Sequence, residues 1–461
     1  MSNKNNNSTF SSKIGVIAAT VGSAVGLGNV WRFPSLAQEN GGAAFMILYL
    51  LSMLLMGIPV MLAETSLGRA GRSDSVGVFK RLTPKKRWWI SGVVGIVASY
   101  IILSYYMVVA GWTLEYLYQS ATGWIFEGTT GTAADSSIYQ QKMSEMISTG
   151  WNPLLWTYIV IIINMLILLK GVQKGIEKMS NIMMPLLFVI LLIFVGVAMT
   201  LPNTREGLEF FLKPDFGKIN IDTIVAALGQ AFFSMSLGMG ILVTYASYYP
   251  KDIKLTRTAF TVTGLNFLVA FMMGLIIFPA VMSFNVAIDH NSLSGTTLVF
   301  VTLPEVFNYM DMPQFWAILF FTLLLLAALT STISIAEVSI AFVRDRFHTS
   351  RLTACLVVLL PIFATSAVCS LSLGAMPWLK IAGMPVFDFL DSFTTNILLP
   401  ISAFLICIYV GWVLKKKFIK QELTNYGSFR SPLAPIVSFL IRWVCPILIA
   451  AIFVSYLISL L

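Results

Sequence analysis

The 461-residue chain is predicted to be an all-α integral membrane protein with eleven transmembrane helices. The first ten are expected to form a 5+5 inverted repeat in which helices 1 and 6 are discontinuous. Three observations predict this. The chain is 57% hydrophobic and only 11% charged, with a mean hydropathy of +0.82, whereas a soluble domain carries about 25% charged residues. Apolar windows of about 20 residues, long enough to cross a bilayer, recur along its whole length. The first and sixth windows are broken by glycines and hydroxyl residues at mid-depth, each at the head of a set of five. Paired interruptions of this kind point to two halves of opposite topology around a shared site. The halves share no direct sequence identity, so the repeat is inferred from topology.

The spans fall at roughly 14–36, 43–66, 89–119, 152–170, 180–200, 223–248, 258–288, 313–343, 351–371, 386–414 and 436–460. Residues 1–461 read as one transmembrane domain, with repeats over about 14–200 and 223–414 and an extra helix over 436–460. Lys and Arg accumulate on the cytoplasmic side and set the orientation. With the N-terminus inside, the segments Arg69 to Arg87, Lys170 to Lys178, Lys251 to Arg257, Arg344 to Arg351 and Lys415 to Arg430 are cytoplasmic. Only six of the 30 basic residues then lie outside: Arg32, Lys142, Arg205, Lys213, Lys218 and Lys380. This bias accounts for the net charge of +9 and argues against a nucleic-acid partner. Residues 1–12 are polar, and no cleavable signal peptide is expected. Cys355, Cys369, Cys407 and Cys445 sit in or at the ends of apolar spans, at no metal-site spacing. They read as small buried apolar residues. The two histidines, His290 and His348, are both in loops, which suggests no zinc chemistry.

Span 1 contains Gly22-Ser-Ala-Val-Gly-Leu-Gly-Asn-Val-Trp-Arg-Phe-Pro34. A helix in lipid keeps its backbone hydrogen bonds internal, and broken backbone is tolerated only where protein buries it or where it lines a polar cavity. Glycines 22, 26 and 28 loosen that ladder. Carbonyls freed from the first half can bind a cation, and N–H groups freed from the second face an anion. The stretch therefore reads as a mid-membrane site for a cation and a carboxylate-bearing solute, or as small residues packed on a neighbour. Span 2 ends in Gly57-Ile-Pro-Val-Met-Leu-Ala-Glu64. Glu64 is either interfacial or a partner for freed N–H groups. Tyr105 and Tyr106 in span 3 need hydrogen-bond partners, a neighbouring carbonyl or a substrate carboxylate. A short helix is expected around 137–148, and Pro185 is a candidate kink in span 5.

Span 6 carries Gly229-Gln-Ala-Phe-Phe-Ser-Met-Ser-Leu-Gly-Met-Gly240, the second interruption. Asn266 in span 7 is interhelical glue or a neutral oxygen ligand for a hard cation. Residues 291–310 could cap the outer face as a hairpin of short helices. Span 8 holds Ala327-Ala-Leu-Thr-Ser-Thr332. Thr330 and Ser331 either close backbone bonds in their own helix or join broken-helix carbonyls in a neutral shell. A shell without carboxylates suits a monovalent ion better than calcium or magnesium. Asp388 or Asp391 lies near the outer end, as does Arg32, giving either a gating pair or two separate interfacial charges. Lys415, Lys416 and Lys417 begin a basic inner loop that is expected to meet anionic membrane lipid.

The span 1 motif, the following Glu-Asn-Gly-Gly-Ala-Ala-Phe and the end of span 2 resemble the neurotransmitter:sodium symporter family over about residues 13 to 460, and look most like its bacterial amino-acid members. The resemblance implies two sodium ions. The first would be held by Ala24 (carbonyl), Asn29, Ser234, Asn266 and the substrate carboxylate. The second would be held by the Gly22, Val25 and Ala327 carbonyls, Thr330 and Ser331. It implies a substrate carboxylate on the N–H groups of Leu27 and Gly28 and the Tyr106 hydroxyl. The substrate amine would meet carbonyls at Ala24, Phe233 and Ser234 and the Ser236 hydroxyl. Ile102, Phe233, Met239 and Ile335 would line the side-chain pocket. Glu64 would support the unwound span 6, Arg32 and Asp391 would form the outer gate, and Asp345 would belong to the inner one. The broken-helix geometry is that of a known member of this family.

Three departures sharpen the expectation. Amine-carrying relatives have an Asp where this chain has Gly26, so a zwitterion bringing its own carboxylate fits better than a biogenic amine. Met239 supplies an adaptable pocket wall, and the expected substrate is a small L-amino acid, hydrophobic or aromatic. Chloride-independent bacterial relatives carry an acid in span 7, where this chain has Asn266 and Ala270. Tyr49, Gln230 and Ser234 match three positions of the chloride site of animal relatives. The family's N-terminal Arg, partner of the acid matching Asp345, is replaced by Asn7, with Lys4 nearby. The expected activity is sodium-coupled import by alternating access, in a bacterial inner membrane with the N-terminus cytoplasmic. A solute sensor on the same scaffold is the rival. No paired catalytic acids, nucleophile–base pair or metal cluster suggests an enzyme.

Overall fold

A computed structural model describes residues 9–129, 136–284 and 295–459. Asn7, Lys4, His290 and the end of the seventh predicted span lie outside these residues. In chain order the helices are α1 (Lys13–Ala24), α2 (Gly28–Glu39), α3 (Ala43–Gly71), α4 (Ser75–Leu82), α5 (Trp89–Thr122), α6 (Ser136–Ser148), α7 (Trp151–Leu169) and α8 (Val172–Ala198). They continue with α9 (Thr204–Leu212), α10 (Ile221–Ser234), α11 (Ile241–Ser247), α12 (Leu255–Ser283), α13 (Pro313–Phe347), α14 (Arg351–Ser372), α15 (Val386–Val413), α16 (Phe418–Leu423) and α17 (Ala434–Ile458). Helical turns also cover Gly295–Thr297, Leu298–Thr302 and Leu303–Asn308, and Lys380–Ile381 pairs antiparallel with Met384–Pro385.

Among the described residues, nine helices are long and apolar enough to cross a membrane, and α1 with α2 makes a tenth if the bent pair is one span. These two meet at 58° around residues 25–27, where the first interruption was expected. The predicted span 223–248 is two helices, α10 and α11, separated by turns over 235–240, and neither half is long enough to cross alone. The remaining predicted spans coincide with α3, α5, α7, α8, α12, α13, α14, α15 and α17 to within a few residues, apart from α8, which begins eight residues early at Val172. The expected short helix is α6.

Proline shapes the spanning helices in a regular way. Of seven widened π-type turns among the described residues, five end at Arg32, Gly57, Thr302, Leu398 and Val444 and are followed two residues later by a proline, Pro34, Pro59, Pro304, Pro400 and Pro446; those over Val172–Glu177 and Tyr409–Val413 are not. Proline lacks an N–H, and its ring crowds the carbonyl four residues earlier, so the preceding turn relaxes to the next hydrogen bond in register. Pro185, Pro279 and Pro361 lie inside α-helix without such a turn, and α8 runs on through Pro185.

Helices α5 and α13 make the most extensive contact in the molecule. Their apolar windows are 67% and 72% buried, against 39% for α8 and α14 and 33% for α17. The first pair is therefore a central scaffold and the others face lipid. Along α8 the exposed residues Ile182, Leu186, Val189 and Ile193 recur at helical spacing and form a lipid-facing stripe. The four cysteines are buried and unbridged.

Candidate functional site

Both breaks open onto the scaffold. Helix α1 stops at Ala24, and Val25 takes an extended conformation. The second break turns through Ser236, Gly238 and Gly240, all with positive φ, at 54°, 76° and 73°. At Gly238 a Cβ would stand 2.6 Å from the Leu399 carbonyl oxygen, so only glycine fits. Ser236 is a non-glycine in the left-handed region, an arrangement that costs energy and persists where the surroundings enforce it. Its hydroxyl donates to the Ser23 carbonyl at 2.6 Å and so ties the two breaks together. That hydroxyl was expected to meet a substrate amine. Its proton goes to the Ser23 carbonyl, and its oxygen keeps lone pairs that can accept from an ammonium.

Glu64 lies inside α3, not at its edge, because the helix continues to Gly71. It is fully buried, and Oε1 accepts from the Gly238 N–H at 2.7 Å. A buried N–H in the second break thus has a side-chain carboxyl as its acceptor. Tyr106 on α5 accepts from the Leu27 N–H at 3.1 Å, at the head of α2.

Between the breaks lies a cavity of about 30 Å³, room for a water or two, lined by Ala24, Gly28, Ile102, Tyr106, Phe233, Ser234, Ser236, Met239 and Ile335. These are all the expected substrate residues except Leu27, which faces the neighbouring cavity. Ser23 lines the site too and was not anticipated; its position beside Ala24 in the span 1 motif was the available signal.

The cation candidates fall into two groups. Asn29 Nδ2 donates to Asn266 Oδ1 at 2.6 Å, and Asn266 Nδ2 to Ser234 Oγ at 3.3 Å. Asn29 Oδ1 is buried with no partner. An orphaned amide oxygen next to Ala24 fits a hard monovalent cation, which would satisfy it. Tyr49 and Ser234 share a hydroxyl–hydroxyl bond of 2.8 Å, and Gln230 donates to the Gly28 carbonyl at 3.1 Å. In the second group, a Cβ on Gly22 would meet Thr330 Cβ at 3.2 Å, so α1 touches α13 there. Thr330 donates to the Leu326 and Ala327 carbonyls, both at 3.0 Å. Its proton serves its own helix, which leaves the hydroxyl oxygen with lone pairs to accept, while Cβ and the Cγ2 methyl are the Thr330 atoms nearest Gly22. Ser331 is buried beside Gly26.

On the Arg32 side a second cavity of about 440 Å³ reaches Gly28, Tyr106 and Phe233, the residues it shares with the small one. Arg32, Asp388 and Asp391 line it. The expected Arg32–Asp391 ion pair is not formed: among the described residues no salt bridge within 4.0 Å joins them. Arg32 instead places its guanidinium 5.1 Å from the centroid of the Phe233 ring. The open cavity separates the two charges. The opposite end is packed shut. Phe10, 2% exposed, sits against Tyr245, Tyr248 and Tyr249 with ring centroids 5.7, 6.4 and 6.1 Å apart. Ser11 and Ser12 bond to the buried carboxylate of Glu177, next to the N-terminus of α1, where negative charge is favourable. Arg69 pairs with Glu422 of α16 at 2.9 Å and also bonds the Glu422 and Ile253 carbonyls. Asp345 pairs with Arg344 at 3.3 Å and accepts from the Asp74 N–H at 3.3 Å. Its expected N-terminal partner lies outside the described residues.

Two broken helices with a small cavity between them, lined by apolar side chains and a few hydroxyl and amide groups, and with one end open, are the arrangement of membrane proteins that bind solutes at mid-membrane. The sequence model of the sodium:neurotransmitter symporter family matches residues 7–128 and 137–461. An uncharacterized sodium-dependent transporter of Haemophilus influenzae is 36% identical over 466 residues, covering 99% of each chain. Another, from Bacillus subtilis (strain 168), is 33% identical over 446 residues, covering 97% of each. The crystal structure of MhsT in complex with L-phenylalanine superposes with a TM-score of 0.87 at 37% identity, covering 97% of this chain and 99% of that one. The chain belongs to the sodium:neurotransmitter symporter family.

Proposed function

We propose that the protein is a sodium-coupled symporter that imports hydrophobic or aromatic L-amino acids by alternating access. The observation that carries this reading is the cavity between the two breaks, where the Tyr106 hydroxyl and the head of α2 offer donors to a carboxylate and no acid is present for an amine. The apolar wall of Ile102, Phe233, Met239 and Ile335 suits an apolar side chain. The bound L-phenylalanine of the MhsT structure supports the same substrate class.

In this reading α1 with α2, and α10 with α11, each complete one span, giving eleven spans and a 5+5 inverted repeat. The N-terminus is then cytoplasmic, a reading supported by the excess of Lys and Arg in the loops on that side, and the membrane is the inner membrane of a bacterium. The Arg32 cavity is then the outer vestibule. Sodium enters between Asn29 and Asn266, and between Gly22 and Thr330. The substrate follows, with its carboxylate completing the first site. Phe233 and Arg32 move over it, Arg32 meets Asp391, and the Phe10 end unpacks. At one charge per sodium, each 100 mV of membrane potential contributes about 2.3 kcal/mol.

Chloride is a second reading for one part of the site. Tyr49, Gln230, Ser234 and Asn266 are clustered, and no carboxylate is among them. Uptake of labelled L-phenylalanine into proteoliposomes, under inward gradients of sodium chloride, sodium gluconate or potassium chloride, tests all of this. Accumulation in both sodium salts is expected for chloride-independent symport, and in sodium chloride alone if chloride supplies the missing charge. Sodium-dependent binding without accumulation in any salt would favour a solute sensor and overturn the symporter reading.

A further inference from the structure

Where α15 ends and α17 begins, a cavity of about 90 Å³ is lined by Lys415, Lys416, Arg442 and Ser438, with no acid among its lining residues. Gly411 lets α17 approach so closely that a Cβ there would meet Arg442 Cα at 3.0 Å. Arg442 lies against a pair of indoles that meet edge to face at 4.6 Å, its guanidinium 4.4 Å from the Trp412 centroid and 5.7 Å from that of Trp443. Trp412 also donates to the Arg442 carbonyl at 3.1 Å. The Arg442 Nε is buried and has no acceptor. Three cations, one of them with an unsatisfied donor, converge where no ion pair is formed with any of them among the described residues.

We propose that this pocket binds a phosphate group, carried by an anionic phospholipid or free in solution. The placement favours the lipid. Trp412 and Trp443 are 46% and 47% exposed, and tryptophans at the ends of spanning helices mark the headgroup level. Basic pockets between spanning helices at that level take anionic headgroups. A phosphodiester oxygen accepts from Arg442 Nε, and Ser438 and the two lysines surround the rest of the charge. Ile419 of α16 lines the same pocket. The bound headgroup thus also packs against the short helix whose Glu422 holds Arg69.

The test uses the full-length protein and a Lys415→Gln/Lys416→Gln variant, in which both changes are at exposed positions. Native mass spectrometry in detergent follows retention of added phosphatidylglycerol, with phosphatidylcholine as the zwitterionic control. Phosphatidylglycerol is expected to bind the parent protein selectively. The double variant should bind it roughly 25-fold more weakly, about fivefold for each basic residue. Displacement of the lipid by millimolar inorganic phosphate assigns the site to a free anion, and resistance to it assigns the site to the lipid. Equal retention of the two lipids, or equal phosphatidylglycerol binding by parent and variant, would overturn the proposal.

Discussion

A side chain at position 26 would strike two hydroxyls, those of Ser331 and Tyr106, each 2.9 Å from where its Cβ would stand. The glycine therefore keeps a carboxylate out of the cavity between the two breaks and leaves Tyr106 free to face the head of α2. Gly26→Asp is expected to abolish sodium-dependent L-phenylalanine binding, measured by scintillation proximity; retained binding would contradict the assignment of the cavity. Tyr106→Phe removes one hydrogen bond to a charged group, about 1.5–3 kcal/mol, and should weaken L-phenylalanine binding roughly 10- to 100-fold. Glu64 makes a different claim, on stability. Glu64→Ala strands the buried Gly238 N–H and should cost about 1–3 kcal/mol in unfolding experiments, while Glu64→Gln, which retains an acceptor, should cost less. Sequence left two readings of Glu64 open because a window of apolar residues does not report how far the helix continues. The decisive fact is that α3 extends to Gly71. Phe10 was missed for the opposite reason. It is a single aromatic in a polar stretch, and its burial depends on three tyrosines more than 200 residues away.

The two broken helices were legible because glycine and hydroxyl clusters interrupt two apolar spans at corresponding places, which packing of small residues on a neighbour does not by itself require. What the pattern could not convey was which residue would bear the strain. Ser236, a non-glycine, turns with φ 54° beside two glycines that could have done so at less cost. The element with the clearest mechanical role, α16, gave no sequence signal beyond a few charges. Its Glu422 is 1% exposed and pairs with Arg69, 6% exposed, on a helix that also reaches the Ile253 carbonyl. Removing one partner of such a buried pair costs about 3–5 kcal/mol, because the other charge is left uncompensated. Glu422→Ala should lower the thermal unfolding midpoint clearly in a calorimetric scan. An unchanged midpoint would show that the pair does not close this end.

One end of the molecule holds a cavity of about 440 Å³ while the other is packed with aromatic rings and ion pairs. The conformation is thus asymmetric across the plane of the two breaks. Spin labels on Thr296→Cys and Ser392→Cys, which line the open cavity, should move closer on adding sodium with L-phenylalanine; an unchanged distance would rule out closure of that cavity over the substrate. Composition and periodicity foretold which segments span the membrane, but not that Arg32 would rest on Phe233 in place of Asp391, since that depends on the open state of the cavity. The Arg69–Glu422 pair also bears on how the chain is made. Its partners are 353 residues apart. At about 5–20 residues per second, the guanidinium waits on the order of 20–70 s after its own synthesis before its carboxylate exists. Until then Arg69 must be held at the water interface or by another acceptor, so the end that carries it cannot close before the ribosome has nearly finished.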